Sequence, residues 1–129
     1  MTPTLNDYIS SKTQVPFAWG KHDCVTFSVG WACLQSGRNY LEGIKPWKSK
    51  RQALREIAKE GTLENYVTKR FGAPIAGYPK DGDLALLPDA IGGLCIVYGP
   101  YAVGPSTEIG LGFLPFTQAL KYWSVPCQV

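Results

Sequence analysis

Apolar and polar positions follow two different periods along this chain, and the change falls just past its middle. In CVTFSVGWACLQS, residues 24–36, apolar side chains recur on most sides of a helical turn: Val25, Phe27, Val29, Trp31, Ala32, Cys33 and Leu34. A helix apolar around most of its circumference belongs inside a fold. Asp23 offers itself as its N-cap and Gly37 as its stop. Ser49 followed by Gln52 reads as a capping box that opens KRQALREIAKE, which Gly61 terminates. Its apolar positions Ala53, Leu54, Ile57 and Ala58 share one stripe. Thr62 caps a further short helix, LENYVTKRF, ending at Gly72. Thr2-Pro3 predicts a first helix over residues 3–11, with proline at its first position. Pro16 biases its predecessor away from the helical region, so residues 15–20 read as extended or turn, and residues 38–48 as a loop.

After Gly72 the period shortens. LALLP, GLCIVYG, YAVG and LGFLPF are short β-prone runs punctuated by Gly, Pro and Asp, and KYWSVPC supplies a last strand. Helices first and an antiparallel sheet afterwards predict an α+β fold, with N-terminal helices and a buried central helix packed on a C-terminal sheet. No repeat, low-complexity tract or linker interrupts the 129 residues, which read as a single domain over 1–129.

Composition narrows the function classes. A hydrophobic share of 45% with 18% charged residues fits a compact globule, and a formal charge of +3 falls short of the basic stripe of a dedicated nucleic-acid binder. The basic run 45–59 holds six Lys or Arg against Glu56, and its ordinary reading is a solvated helix face. No apolar run reaches the ~20 residues needed to span a bilayer. The opening MTPTLNDYIS lacks the pattern of a secretory signal, so synthesis in a reducing cytosol is expected. Cys24, Cys33, Cys95 and Cys127 then read as free thiols. No pair of them has zinc-ligand spacing and there is one histidine, so neither a metal nor a cofactor is expected. The aromatics Tyr40, Trp47, Tyr98, Tyr101 and Trp123 divide between core and contact surface in a way the sequence leaves open.

The one candidate for covalent chemistry is Cys24. A cysteine in the first turn of a helix sits where backbone N–H groups and the helix dipole favour negative charge, a placement that lowers a thiol's pKa. Set against this is the plain reading of Cys24 as a small apolar residue at a buried helix end.

The arrangement Trp19-Gly20, then Asp23-Cys24 entering a buried helix, followed later by Gly82-Asp83-Leu84, resembles the NlpC-type papain-like cysteine peptidases. The chain also resembles small members of that group encoded among phage tail genes, which share the opening here formed by residues 17–24 and a tail like Tyr122-Trp123-Ser124-Val125. The resemblance implies a papain-like α+β domain whose cysteine attacks peptide bonds, commonly in peptidoglycan. The strand after G-D-L should then begin with a histidine that acts as general base. Here that segment is Gly93-Leu94-Cys95-Ile96-Val97, with glycine or leucine where the base belongs. Neither can take a thiol proton or return one to a leaving amine.

His22, two residues before Cys24, lies on the loop entering the helix and not on the facing sheet, so it is expected to point elsewhere or cap local backbone. Asp83 is expected to fix the turn into its strand, and Glu108 to be a solvated loop residue. Cys95 reads as strand core, close enough across the helix–sheet interface to approach Cys24. The expected function is therefore a non-enzymatic structural component of a phage tail tip or injection apparatus. Its partners would be other virion proteins and possibly peptidoglycan, with no nucleic acid and no membrane span, and its place the virion after synthesis in the host cytoplasm. The alternative is an active cysteine hydrolase that opens peptidoglycan during genome delivery, with Cys24 as nucleophile and an unconventional base such as His22; a thiol acyltransferase of related fold is a third.

Overall fold

A computed structural model of the chain describes residues 4–42, 46–88, 93–106 and 109–126. Four helices precede five strands: α1 (Leu5–Ser11), α2 (Cys24–Ser36), α3 (Lys50–Ala58), α4 (Leu63–Phe71), β1 (Leu84–Leu86), β2 (Leu94–Tyr98), β3 (Tyr101–Pro105), β4 (Leu111–Pro115) and β5 (Lys121–Trp123). One 3₁₀ turn, Phe116–Gln118, separates the last two strands. The strands form a single sheet in the order β4-β3-β2-β1-β5, and every neighbouring pair is antiparallel. The architecture is α+β, as the order of periods predicts.

The helix boundaries follow from local chemistry. Asp23 accepts from the Thr26 N–H and Thr26 Oγ1 from the Asp23 N–H, a reciprocal cap that starts α2, and Gly37 ends it in the left-handed conformation at φ 75°. Thr62 caps α4 by accepting from the Asn65 N–H. Three expectations need adjustment. The first helix begins at Leu5, capped by Thr4 in a box with Asp7, while Pro3 lies outside the described residues. Ser49 caps α3, but the Gln52 side chain accepts from the Lys48 N–H, one residue earlier than a capping box requires, and the helix ends at Ala58. The last strand stops at Trp123, where backbone pairing with β1 runs out.

Strand alternation sorts the sheet's side chains onto two faces. Leu84, Leu86, Leu94, Ile96 and Val103 point toward α2 and join Val25, Phe27, Val29, Trp31 and Trp123 in the main core. Ala85, Leu87, Cys95, Val97 and Ala102 point the other way and are covered by Phe116, Ala119 and Tyr122. Burial of polar groups is matched by specific bonds. The Tyr8 hydroxyl donates to the Phe27 carbonyl at 2.6 Å, Ser28 Oγ to the Leu94 carbonyl at 3.0 Å, and Trp31 Nε1 to the Gly82 carbonyl at 3.0 Å. Together these bonds lock α2 to α1, to β2 and to the turn before β1. Among the five aromatics left open by the sequence, Trp47 and Trp123 are core and Tyr101 is exposed. Arg51, Arg55 and Lys59 lie on the exposed face of α3, as a solvated basic helix predicts.

Candidate functional site

The loop before α2 is organised by one carboxylate. Asp23 is 1% exposed. Besides capping Thr26 at 2.9 Å, it accepts from the Gly20 N–H at 2.7 Å and from Trp47 Nε1 at 2.8 Å. Gly20 adopts φ 83°, and a Cβ there would stand 1.9 Å from the Trp47 carbonyl oxygen, so this position needs glycine for both conformation and space. The W-G-x-x-D pattern is thus a clasp that fixes where α2 begins. Trp47 is its third member, contributed by a loop in which no local sequence signal marks that role.

The second motif has a similar explanation. Asp83, 2% exposed, accepts from the Lys80 N–H at 2.9 Å and from the Val125 N–H at 3.2 Å, tying the turn before β1 to the chain's C-terminal segment. This is the turn-fixing role expected of it.

Cys24 is the first residue of α2 and is half-buried. Its thiol does not gain the lowered pKa expected at a helix N-terminus. Burial pushes it up to about 12. Backbone hydrogen bonds at Leu94 and Val25 pull it down, while the Asp23 charge and Cys95 add to the rise. Desolvation outweighs the helix end because the start of β2 closes over the sulfur. Cys24 lies at one side of a narrow cleft of about 120 Å³ whose walls include Gly93, Leu94, Cys95, Ala102, Gly104 and Leu114. Apart from the two thiols, no described residue lining this cleft carries an ionisable group. On its other side a void of about 30 Å³ contains Asp23, already committed to three donors, and Lys50 among apolar walls.

At the position where the peptidase resemblance expects a base, Gly93 is sterically constrained. A Cβ there would fall 2.3 Å from the Leu87 carbonyl oxygen, because Leu87 and Gly93 close the β1–β2 connection with a 2.7 Å hydrogen bond. Leu94 is fully buried in the main core.

His22 is 2% exposed and turned into the fold. Its main chain pairs with Ala18 in both directions, its ring packs edge-to-face on Phe27 at 5.7 Å, and it hydrogen-bonds the Gly110 backbone. None of these contacts reaches Cys24, so the role expected of it, local and structural, is the one these contacts describe. Nε2 is buried without a partner. Burial lowers the imidazole pKa below its ordinary 6.5, the Gly110 bond and Asp23 opposing and Lys12 assisting. An unfolded chain then takes up the proton first. Stability is expected to be full above about pH 6.5 and to fall as the pH drops through that value toward the folded-state pKa. Because His22 is the sole histidine, His22→Gln should flatten the slope of urea-unfolding free energy between about pH 7.5 and about pH 5.5. An unchanged slope would place the titration elsewhere.

Cys24, Cys33 and Cys95 are not joined in disulfides, while Cys127 and Glu108 lie outside the described residues. Cys24 and Cys95 do share a cleft. Among the described residues no group of three or more His, Cys, Asp or Glu is placed to hold a metal ion, and no helix is long and apolar enough to cross a membrane. A concavity of about 710 Å³ is a separate aliphatic groove between α3, α4 and the end of β1, lined by Leu54, Ile57, Leu63, Leu86, Pro88 and Leu120 among others.

A family described as a domain of unknown function (DUF6950) matches residues 1–125, and the chain belongs to that family. No curated protein and no solved structure matches it.

Proposed function

For this member of the DUF6950 family we propose a non-enzymatic role: a structural component of a phage tail tip or related injection apparatus, built on a papain-like scaffold whose catalytic constellation has decayed. The observation that carries the reading is the cleft beside Cys24, whose described lining holds no ionisable group besides the Cys24 and Cys95 thiols and has Gly93 and Leu94 where the peptidase resemblance expects a base. The motifs behind the peptidase resemblance have structural occupations of their own. Gly20, Asp23 and Trp47 form the clasp at the start of α2, and Asp83 ties a turn to the C-terminal segment. Such a scaffold keeps its residues for folding after the chemistry is gone. The phage setting rests on the resemblance of residues 17–24 and 122–125 to tail-associated relatives, and the partners in this reading are other virion proteins.

One observation favours the alternative, a cysteine hydrolase acting on peptidoglycan. Backbone hydrogen bonds at Leu94 and Val25 act on the Cys24 sulfur and favour its thiolate, the attacking form of a nucleophile. Donors without a base leave the thiol protonated at neutral pH. Incubating the purified chain with insoluble peptidoglycan separates the two readings. No soluble fragments beyond those seen with Cys24→Ala are expected. Cys24-dependent release would establish the hydrolase and end the structural reading.

A further inference from the structure

β4 lies at the end of the sheet and pairs with β3 along one side only. The bonds that bracket this ladder set its parity: Phe116 N–H donates to the Pro100 carbonyl and Ser106 N–H to the Gly110 carbonyl. Alternate residues of an antiparallel pair bond across it, so Gly112 and Leu114 direct their main-chain groups to β3. Leu111 and Phe113 turn N–H and C=O outward. The loop after α1 covers the approach to this edge, where Gly110 N–H donates to the Val15 carbonyl and Pro16 bridges Ile109, and it stops there. Among the described residues no backbone bond reaches the outward groups of Leu111 and Phe113.

The side chains along this edge are apolar and in water. Phe113 is 45% exposed, Leu114 47% and the neighbouring Tyr101 44%. Exposed sheet edges are normally guarded by charge, by a bulge or by proline. From Ile109 to Leu120 the sequence contains no Lys, Arg, Asp or Glu, and Pro115 guards only the far end.

We propose that this edge is a homodimer interface, in which two copies of the chain pair β4 with β4 antiparallel about a two-fold axis at Gly112. That register sets Leu111 opposite Phe113 of the second copy. Leu111 N–H donates to that residue's carbonyl and its N–H donates back to the Leu111 carbonyl. The symmetry operation repeats the exchange at Phe113, so every outward N–H and C=O of Leu111 and Phe113 gains a partner. Gly112 meets Gly112 at the non-bonded position, where the backbones approach most closely. The Leu111–Phe113 cross-strand pairs bury apolar surface on one face. The edge is complementary to itself in donors, acceptors and shape, which is what an isologous contact requires. Two copies carrying +3 each bring no charge together along it. The pairing is independent of whether Cys24 reacts.

Sedimentation equilibrium on the full chain tests this. Wild type is expected to approach twice the chain mass as concentration rises. Phe113→Lys places a charge beside the axis, opposite Leu111 of the second copy, and Phe113→Pro removes an outward N–H that the β3 ladder does not use. Each should raise the dimer dissociation constant about tenfold or more, with an unchanged circular dichroism spectrum. If a variant fails to fold, amide exchange on wild type decides: Leu111 and Phe113 amides should slow as concentration increases. A single-chain mass at every concentration up to the solubility limit overturns the proposal, and an extended segment of a different protein then becomes the natural occupant. A dimer unaffected by both variants, or exchange at those amides independent of concentration, overturns it equally.

Discussion

Asp23→Ala is expected to destabilise the fold by about 3–5 kcal/mol, as read from urea or thermal unfolding. The carboxylate accepts three hydrogen bonds, from Gly20, Thr26 and Trp47, in a site 1% exposed. Alanine removes the N-cap of α2, worth about 1 kcal/mol by itself. It also strands the buried Trp47 Nε1–H and leaves the part-buried Gly20 N–H without its acceptor, at roughly 1–3 kcal/mol for the buried donor. Asp23→Asn preserves shape but turns an amide N–H₂ toward donors, so it should recover only part of the loss. Trp47→Phe, which deletes one donor while keeping most of the ring, should cost much less than Asp23→Ala. A change below about 1 kcal/mol for Asp23→Ala would contradict the clasp, since a mere surface cap loses no more than that.

Gly93→His, the substitution that would place a histidine at the head of β2, is expected to lower stability by about 2–4 kcal/mol and to confer no hydrolysis. The obstacle is the backbone. Any Cβ at this position approaches the Leu87 carbonyl oxygen to 2.3 Å and its carbonyl carbon to 2.8 Å, so the closing bond of the β1–β2 connection must move or break. Gly93→Ala should already show most of the loss, which separates the steric cause from the imidazole. Leu94→His meets a different barrier, a polar ring placed in a fully buried leucine site of the main core. A Gly93→His protein as stable as wild type, or one that releases peptidoglycan fragments, would show that the site still accommodates a base.

Much of this architecture is legible in the sequence because its signals are local. Asp23, Gly37, Thr62 and Gly72 mark helix ends through side-chain caps and glycine, and the structure places α2 and α4 between them as read. The short apolar runs after Gly72 are strands because alternation with turn residues is also a local pattern. The candidate site is legible only in part. Cys24 at the head of a buried helix is visible in one stretch, but its protonation state is set by β2 closing over it from a distant part of the chain. A helix-end argument sees the dipole and not the desolvation that overrides it. Trp47 is invisible as a partner of Asp23 because no periodicity marks a loop residue that folds back across the start of α2. His22 shows the same limit: its nearness to Cys24 in sequence says nothing of the turn at Ala18 and the packing on Phe27 that direct it inward.

The central claim, that Cys24 is a half-buried, desolvated thiol with no base beside it, is tested most directly by its alkylation rate against pH. Iodoacetamide labelling, resolved by peptide mass mapping, distinguishes Cys24 from the other three cysteines. A thiol held at about 12 instead of its ordinary 9.0 carries roughly a thousandfold less thiolate near neutral pH. Cys24 should therefore label far more slowly than an unstructured cysteine peptide, with a rate still climbing at the alkaline limit of the folded protein. A rapid reaction that levels off near neutral pH would reveal an activated thiolate and contradict the account.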